Sequence, residues 1–304
     1  MHTAGVLLGL VVGVLLAFAG GEALTRGSRS LLAPAALGLA AFVAVICSAI
    51  PEFAFAMRAA QLDLSGAAVG AVAGSFVANA FVAATVALRG GIDDARGGRT
   101  FAVASAIAAG ALLFVAFDGK ISRTEGAFML AGAVLVAIRA ARLDVTGPDP
   151  RGPHQPVAIS ILLLIAGAAL TLGGAWLALD RVQAWASGAP DGDLLAGLTL
   201  LGAGAALPEI VAAWAAARQN LGSRAFVNVT AGTSLTLFGA IGAAALVRPL
   251  TVSDAFLGAP AIAVAVSAVV LMALAAARRR LHGGFVIAGL VAWIGALTAF
   301  AWGA

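Results

Sequence analysis

The chain has 304 residues, of which 62% are hydrophobic and 11% are charged, with a formal net charge of +4. A soluble domain typically carries about 25% charged residues, so this composition excludes an ordinary soluble protein. The scattered basic residues exclude a nucleic-acid-binding surface, and the single cysteine, Cys47, excludes a disulfide within the chain.

Ten apolar segments lie between charged or Pro/Gly-rich breaks, and several exceed the ~20 residues needed to span a bilayer. The sequence therefore predicts an all-α, polytopic membrane protein of about ten transmembrane helices. In chain order the segments cover 4–24, 31–57, 65–88, 100–117, 124–139, 157–179, 194–217, 222–247, 254–277 and 283–302.

Lysine and arginine residues predict the orientation, because they are enriched in cytoplasmic loops. Most of the 18 follow odd-numbered spans, as the run of arginines at 278–280 does. This distribution predicts a multi-pass protein of the cell (inner) membrane with both termini outside. The polar stretch 139–156 is then a cytoplasmic linker.

The linker separates two similar halves of five spans, 1–138 and 157–304. Residues 48–69 align without a gap with residues 205–226, which superimposes Pro51-Glu52 on Pro208-Glu209. Five is an odd number, so the second half must enter the membrane from the opposite side. Such an inverted repeat is typical of secondary transporters, whose substrate sites lie near the midplane between the halves.

Glu52 and Glu209 are the acidic residues that lie well within apolar runs; we expect Glu22, near the end of the first span, to reach the interface. A charge at the bilayer centre costs at least ~2.5–3.5 kcal/mol on insertion scales. Arg139 and Arg224 lie only at the ends of predicted spans and no lysine or arginine lies deeper inside one, which leaves a proton or a bound cation as compensation. The alternative is a protonated glutamate that only hydrogen-bonds to a neighbouring helix.

The neighbouring residues suit a cation. Pro51 and Pro208 each remove a helix hydrogen bond and should interrupt the helix, freeing a carbonyl one turn earlier. Ca²⁺ takes six to eight oxygen ligands from carboxylates, carbonyls and water. The third and eighth spans add polar side chains that serve either as ligands or as interhelical hydrogen bonds: Ser75, Asn79, Asn228, Thr230, Thr233, Ser234 and Thr236.

These elements resemble those of the cation/Ca²⁺ exchanger superfamily, the sodium/calcium exchangers. That family carries G-T-S-x-P-E on spans two and seven, where this chain has CSAIPE at 47–52 and GAALPE at 204–209. A G-N-x-x-G-S-N-x-F-N/D element follows on spans three and eight. The resemblance implies that Glu52 and Glu209 are the metal ligands, and that the other ion-binding positions are Ser48, Ser75, Asn79 and Thr236.

The chain departs from the family pattern in both halves. Alanines replace motif hydroxyls at 49, 205 and 206. An ungapped alignment puts Gly232 and Thr236 at the family's Ser and Asp, whereas a one-residue gap puts Thr233 and Leu237 there. The third acidic ligand is missing in either case. Fewer oxygens favour proton coupling or another cation over a site for three Na⁺ and one Ca²⁺.

The sequence thus predicts a secondary-active antiporter that exchanges Ca²⁺ for Na⁺ or H⁺ by alternating access, with spans one and six moving against the rest. Its partners are inorganic cations and the lipid bilayer, without nucleic acid or a resident cofactor, and its oligomeric state stays open. The alternatives are a K⁺/H⁺ or Na⁺/H⁺ antiporter, a non-transporting homologue or an ion channel. An enzyme is not expected, because the spans contain no nucleophile, metal-binding histidines or basic cluster.

Overall fold

The computed structural model describes residues 2–32, 37–90, 96–142, 155–186, 190–218 and 221–276. Almost all of them are helical, apart from two strands of two residues each. The elements are α1 (His2–Leu32), α2 (Leu37–Gln61), α3 (Ser65–Gly90), α4 (Arg96–Ala116), β1 (Lys120–Ile121), α5 (Arg123–Arg142), α6 (Val157–Ala186), α7 (Gly192–Ala196), a π-helical turn (Gly197–Leu201), α8 (Gly202–Ala205), α9 (Leu207–Arg218), α10 (Gly222–Val247), β2 (Leu250–Thr251), α11 (Asp254–Leu257) and α12 (Ala259–Ala276).

Within the described residues, eight helical stretches are long and apolar enough to cross a membrane, which confirms an all-α polytopic membrane protein. Each coincides with a predicted span, and the second predicted span is also helical, as α2. The predicted tenth span, 283–302, lies outside the described residues. The number of ten helices and the inverted repeat stay predictions.

Two boundaries differ from the sequence prediction. The helix α1 continues to Leu32 rather than ending near residue 24, because Glu22 pairs with Arg26 one turn later and the polar stretch remains helical. Glu22 therefore lies about 15 Å before the end of α1, and its position at the interface stays a prediction. At the other boundary, α5 runs to Arg142, a few residues into the predicted linker.

Glycines bring α1 and α6 into backbone contact. A Cβ atom at Gly13 would lie 2.7 Å from the carbonyl oxygen of Gly174, and one at Gly20 would lie 2.6 Å from that of Gly167. Later residues of α1 meet earlier residues of α6, so the two helices are antiparallel. Small residues allow this close approach within a membrane, where van der Waals packing holds helices together.

The helix α3 packs in the same close manner along α7, the π-helical turn and α8. A Cβ atom at Gly197 would lie 2.8 Å from the carbonyl oxygen of Ala67, and one at Gly202 would lie 2.8 Å from Cα of Gly74. Here residue numbers increase together, so α3 runs parallel to this interrupted helix. Both pairings have the directions expected of an inverted repeat.

The helix α10 occupies the centre of the protein and packs against α2, α3, α4 and α5. Its membrane-crossing stretch is 89% buried, compared with 22% for α5 and α6, which present most of their surface outward. At one end of the bundle β1 pairs with β2 in antiparallel register. Nearby, Arg248 forms a 2.8 Å ion pair with Asp63, which joins the connections α2–α3 and α10–α11.

Candidate ion-binding site

The two Pro-Glu elements meet at the middle of α1. A Cβ atom at Gly21 would lie 2.8 Å from Cγ of Pro51 and 3.5 Å from Cγ of Pro208. One proline belongs to α2 and the other to the first turn of α9. The elements predicted from the two halves are therefore neighbours in space, with α1 packed across both.

The expected helix interruption occurs in one half only. The helix α2 continues through Pro51, contrary to the prediction, and the proline ring packs against Gly21 of α1. In the second half a π-helical turn precedes α8, and Ala206 separates α8 from α9. This stretch contains three glycines, which weaken a helix, and π-helical turns are frequent at functional sites.

Glu52 is completely buried, and its carboxylate is held on one side only. The hydroxyl of Ser75 on α3 donates a 3.0 Å hydrogen bond to its Oε1. Its Oε2 is enclosed and has no hydrogen-bond partner. One carboxylate oxygen therefore remains available to a cation or a proton.

Glu209 is 5% exposed, and neither of its carboxylate oxygens has a hydrogen-bond partner. Ser48 of α2 lies beside this carboxylate, but its hydroxyl donates to the carbonyl oxygen of Val45 at 3.0 Å. Because its proton is used within α2, the Ser48 oxygen can act near Glu209 only as an acceptor or a ligand. A residue of the first half thus lies next to the glutamate of the second.

No basic side chain within the described residues pairs with either glutamate. The ion pairs found there are Arg26–Glu22, Arg58–Asp180 and Arg248–Asp63. The described residues also contain no cluster of three His, Cys, Asp or Glu side chains that could hold a metal ion. A cation bound between Glu52 and Glu209 would therefore need hydroxyl, amide or backbone oxygens to complete its coordination.

The two remaining predicted site residues are both buried one helical turn further along. Asn79 follows Ser75 on α3, is 1% exposed, and has an unpartnered Oδ1. Thr236 follows Gly232 on α10 and is 3% exposed. The structure thus brings Ser75 to Glu52 and Ser48 to Glu209, and encloses Asn79 and Thr236 on the adjoining helices.

Known proteins are similar to this chain in sequence and in fold. The family model described as sodium/calcium exchanger protein matches residues 159–302. A protein of Alkalimonas amylolytica named as the antiporter CaxA is 25% identical over 267 residues, covering 82% of this chain and 83% of that protein. The sodium-calcium exchanger NCX_Mj, soaked with 2.5 mM Na⁺ and 1 mM Sr²⁺, superimposes with a TM-score of 0.64 at 21% identity, covering 96% of this chain and 97% of the other.

The chain resembles the cation/Ca²⁺ exchanger superfamily, whose family model matches its second half. A second structure of NCX_Mj, soaked with zero Na⁺ and Ca²⁺, also matches, with a TM-score of 0.62 at 21% identity over 97% of this chain and 98% of the other. The resemblance drawn from the two Pro-Glu elements is thereby confirmed, and so is the transmembrane exchanger class.

The structure decides between the two alignments of the superfamily motif on α10. A Cβ atom at Gly232 would lie 3.7 Å from Oε1 of Glu209. Gly232 therefore faces Glu209 from the position that Ser75 occupies opposite Glu52, as the ungapped alignment requires. Thr233 points elsewhere, because its hydroxyl donates to the carbonyl oxygen of Val229 at 2.6 Å. At this position of the motif the chain consequently has a hydroxyl, Ser75, opposite Glu52 and no side chain, Gly232, opposite Glu209.

Other hydroxyls of α10 connect helices. The Ser234 hydroxyl lies within hydrogen-bond distance of the carbonyl oxygens of Phe101 and Thr230, either of which can accept its proton, and its Oγ lies 2.8 Å from Oγ of Ser105 on α4. Thr230 donates within its own helix to Phe226. The sequence analysis missed Ser105, whose position as an isolated serine in an apolar run is its only signal.

We expect Ser234→Ala to lower the stability of the protein by about 0.5–1.5 kcal/mol, since it removes buried hydrogen bonds between α4 and α10. Transport should be unchanged, because the Ser234 hydroxyl hydrogen-bonds to α4 and α10 and does not bind an ion. Thermal unfolding in detergent and cation flux in proteoliposomes measure the two effects. A normal melting temperature with a lost flux would contradict this assignment.

Proposed function

We propose that the chain is a secondary-active antiporter that exchanges Ca²⁺ for Na⁺ or H⁺ by alternating access at a site formed by Glu52 and Glu209. The observation that carries this proposal is the pair of buried carboxylates with three unpartnered oxygens between them. A buried ionised carboxylate is strongly unfavourable unless it is paired or coordinates a metal. A cation or a proton is the missing partner.

Exchange follows from this shared requirement. A divalent cation between the two carboxylates neutralises both charges, and protons or Na⁺ can do so in its absence. The state with no bound cation or proton is therefore unfavourable. One cargo leaves as the other enters. The relatives support the same class, since one is named an antiporter and the other a sodium-calcium exchanger.

The oxygens near the glutamates favour H⁺ as the coupling ion. Gly232 supplies no hydroxyl to Glu209, and Ala205 and Ala206 are likewise without side-chain oxygens. Three Na⁺ ions would need many more oxygens than these side chains offer. A proton needs one carboxylate oxygen, which the site provides.

The test is uptake of labelled Ca²⁺ into proteoliposomes with an imposed Na⁺ gradient, an imposed H⁺ gradient, or neither. We expect uptake that follows the H⁺ gradient and competes with external protons. Uptake that follows only Na⁺ would keep the antiporter and change its coupling ion. Flux that ignores both gradients and greatly exceeds about a thousand ions per second would instead indicate a channel.

The same vesicles separate the remaining alternatives. Absence of Ca²⁺ uptake with gradient-driven movement of labelled Na⁺ or Rb⁺ would assign a monovalent cation/H⁺ antiporter. Absence of every cation flux in a folded, correctly reconstituted protein would assign a non-transporting homologue.

A further inference from the structure

The face of α10 that looks toward Glu209 carries a polar side chain without an assigned role. Asn228, Gly232 and Thr236 follow one another at four-residue intervals and so share one face of the helix. Gly232 is the point on this face nearest Oε1 of Glu209. Asn228 lies one turn before that point, and its Oδ1 is enclosed without a hydrogen-bond partner.

A role in helix packing does not account for Asn228. An amide that joins helices does so by hydrogen bonds, as Ser234 and Ser105 do with their hydroxyls. The amide oxygen of Asn228 makes none, although burying an unpaired carbonyl oxygen is unfavourable. At the equivalent position of the first half the chain has Ala71, which is fully buried in the core. The amide is therefore particular to the second half.

Asn228 and Asn79 lie on the same side of the carboxylates. Asn79 comes one turn after Ser75 on α3, whereas Asn228 comes one turn before Gly232 on α10. The helix α10 reverses the direction of α9, and the interrupted helix α7–α9 is parallel to α3. Because α3 and α10 run in opposite directions, the two amides are displaced toward the same membrane face. It is the face where α3 ends and α10 begins, predicted to be cytoplasmic.

We propose that Asn228 is a further cation ligand, which together with Asn79 forms a neutral amide station between the two glutamates and the predicted cytoplasmic face. This inference rests on the proposed function of Glu52 and Glu209. Amide carbonyl oxygens are suitable ligands for a hard cation such as Ca²⁺. Metal–oxygen distances of about 2.3–2.6 Å allow one ion to bridge oxygens up to about 5 Å apart.

The station determines how the ion exchanges its water. An ion arriving from that face meets amide oxygens before it meets the carboxylates, and so replaces part of its hydration shell with neutral ligands. Gly232 has no side chain, so no hydroxyl stands between Asn228 and Glu209 on this face of α10. The effect of Asn228 should accordingly be larger for ions presented at this face than for ions presented at the opposite one.

The experiment measures the KM for labelled Ca²⁺ separately from each membrane face, in vesicles of defined orientation. We expect Asn228→Ala to raise the KM about tenfold from the face where α10 begins, and much less from the other. Asn228→Asp is isosteric and adds a charge, so it should lower the KM and slow turnover. Thr233→Val is the matched control: the Thr233 hydroxyl bonds to its own helix, and its loss should leave both KM values unchanged.

The outcomes separate this inference from the proposed function. If Glu52→Gln abolishes flux while Asn228→Ala and Asn228→Asp both keep normal KM values from both faces, Asn228 is not a ligand and the antiporter proposal stands. If the wild-type protein moves no cation, the proposed function fails. In that case the rise in melting temperature on adding Ca²⁺ tests the role of Asn228. A smaller rise in Asn228→Ala than in the wild type supports Asn228 as a ligand. An equal rise in both, or no rise in the wild type, overturns this role.

Discussion

Replacing Glu52 and Glu209 together by glutamine is expected to abolish cation exchange, with flux at least 100-fold below wild type. Glutamine keeps the shape of glutamate but has no charge, so it removes the groups that attract a cation or carry a proton. Because both side chains are buried without a basic partner in the described part of the chain, the change should not expose an unpaired charge. Gradient-driven Ca²⁺ uptake in proteoliposomes is the measurement.

The single variants and a control complete this test. Each single variant should retain binding but lose coupled exchange, since one carboxylate cannot neutralise a divalent cation. Glu125→Gln is the matched control, because Glu125 caps the start of α5 through Ser122, away from the site. The melting temperature of each variant shows that it is folded. Normal Ca²⁺ flux in the folded double variant would refute the two-glutamate site.

The second large effect is expected at the contact between α1 and α6. A Cβ atom at Gly174 would lie 2.5 Å from both the amide nitrogen of Ala17 and the carbonyl oxygen of Gly13. These are backbone atoms, so Gly174→Ala must push the two helices apart. We expect a loss of stability of about 1–3 kcal/mol, accompanied by loss of transport, because α1 also packs across the two prolines at Gly21.

The adjacent glycine provides the control for this prediction. A Cβ atom at Gly173 would meet nothing within 4 Å, so Gly173→Ala should leave stability and flux unchanged. The comparison holds helix propensity nearly constant, since both changes replace glycine by alanine in the same helix. Melting temperature in detergent and Ca²⁺ uptake are measured side by side. Equal behaviour of the two variants would show that α1 and α6 tolerate separation.

The sequence predicts the membrane class and the location of the candidate site because both depend on how polar residues stand out from the apolar residues around them in the chain. An acidic residue beside a proline within an apolar run is visible without a fold, as at Glu52 and Glu209. The similarity of the two halves then implies that these residues meet. The convergence of Pro51 and Pro208 on Gly21 agrees with that expectation.

Features that depend on contacts between helices were not predictable in the same way. The sequence permits two alignments on α10, and only the approach of Glu209 to Gly232 distinguishes them. The packing of Pro51 against Gly21 involves a residue of another helix, which the local sequence around Pro51 does not reveal. The length of α1 was underestimated because charged residues such as Glu22 and Arg26 indicate the end of a membrane span. The same pair, four residues apart, stabilises the helix that continues past it.

The central position of α10 also bears on how the protein is made. The helix fills the space between α2, α3, α4 and α5, yet it is synthesised about a hundred residues after α5 ends at Arg142. At typical elongation rates this delay lasts roughly ten seconds. During it, the glutamate-bearing face of the nascent first half has no α10 to cover it, and β1 has no partner strand. Native packing of the first half therefore requires the synthesis of the second half. The two halves depend on each other during folding, before they act together on any ion.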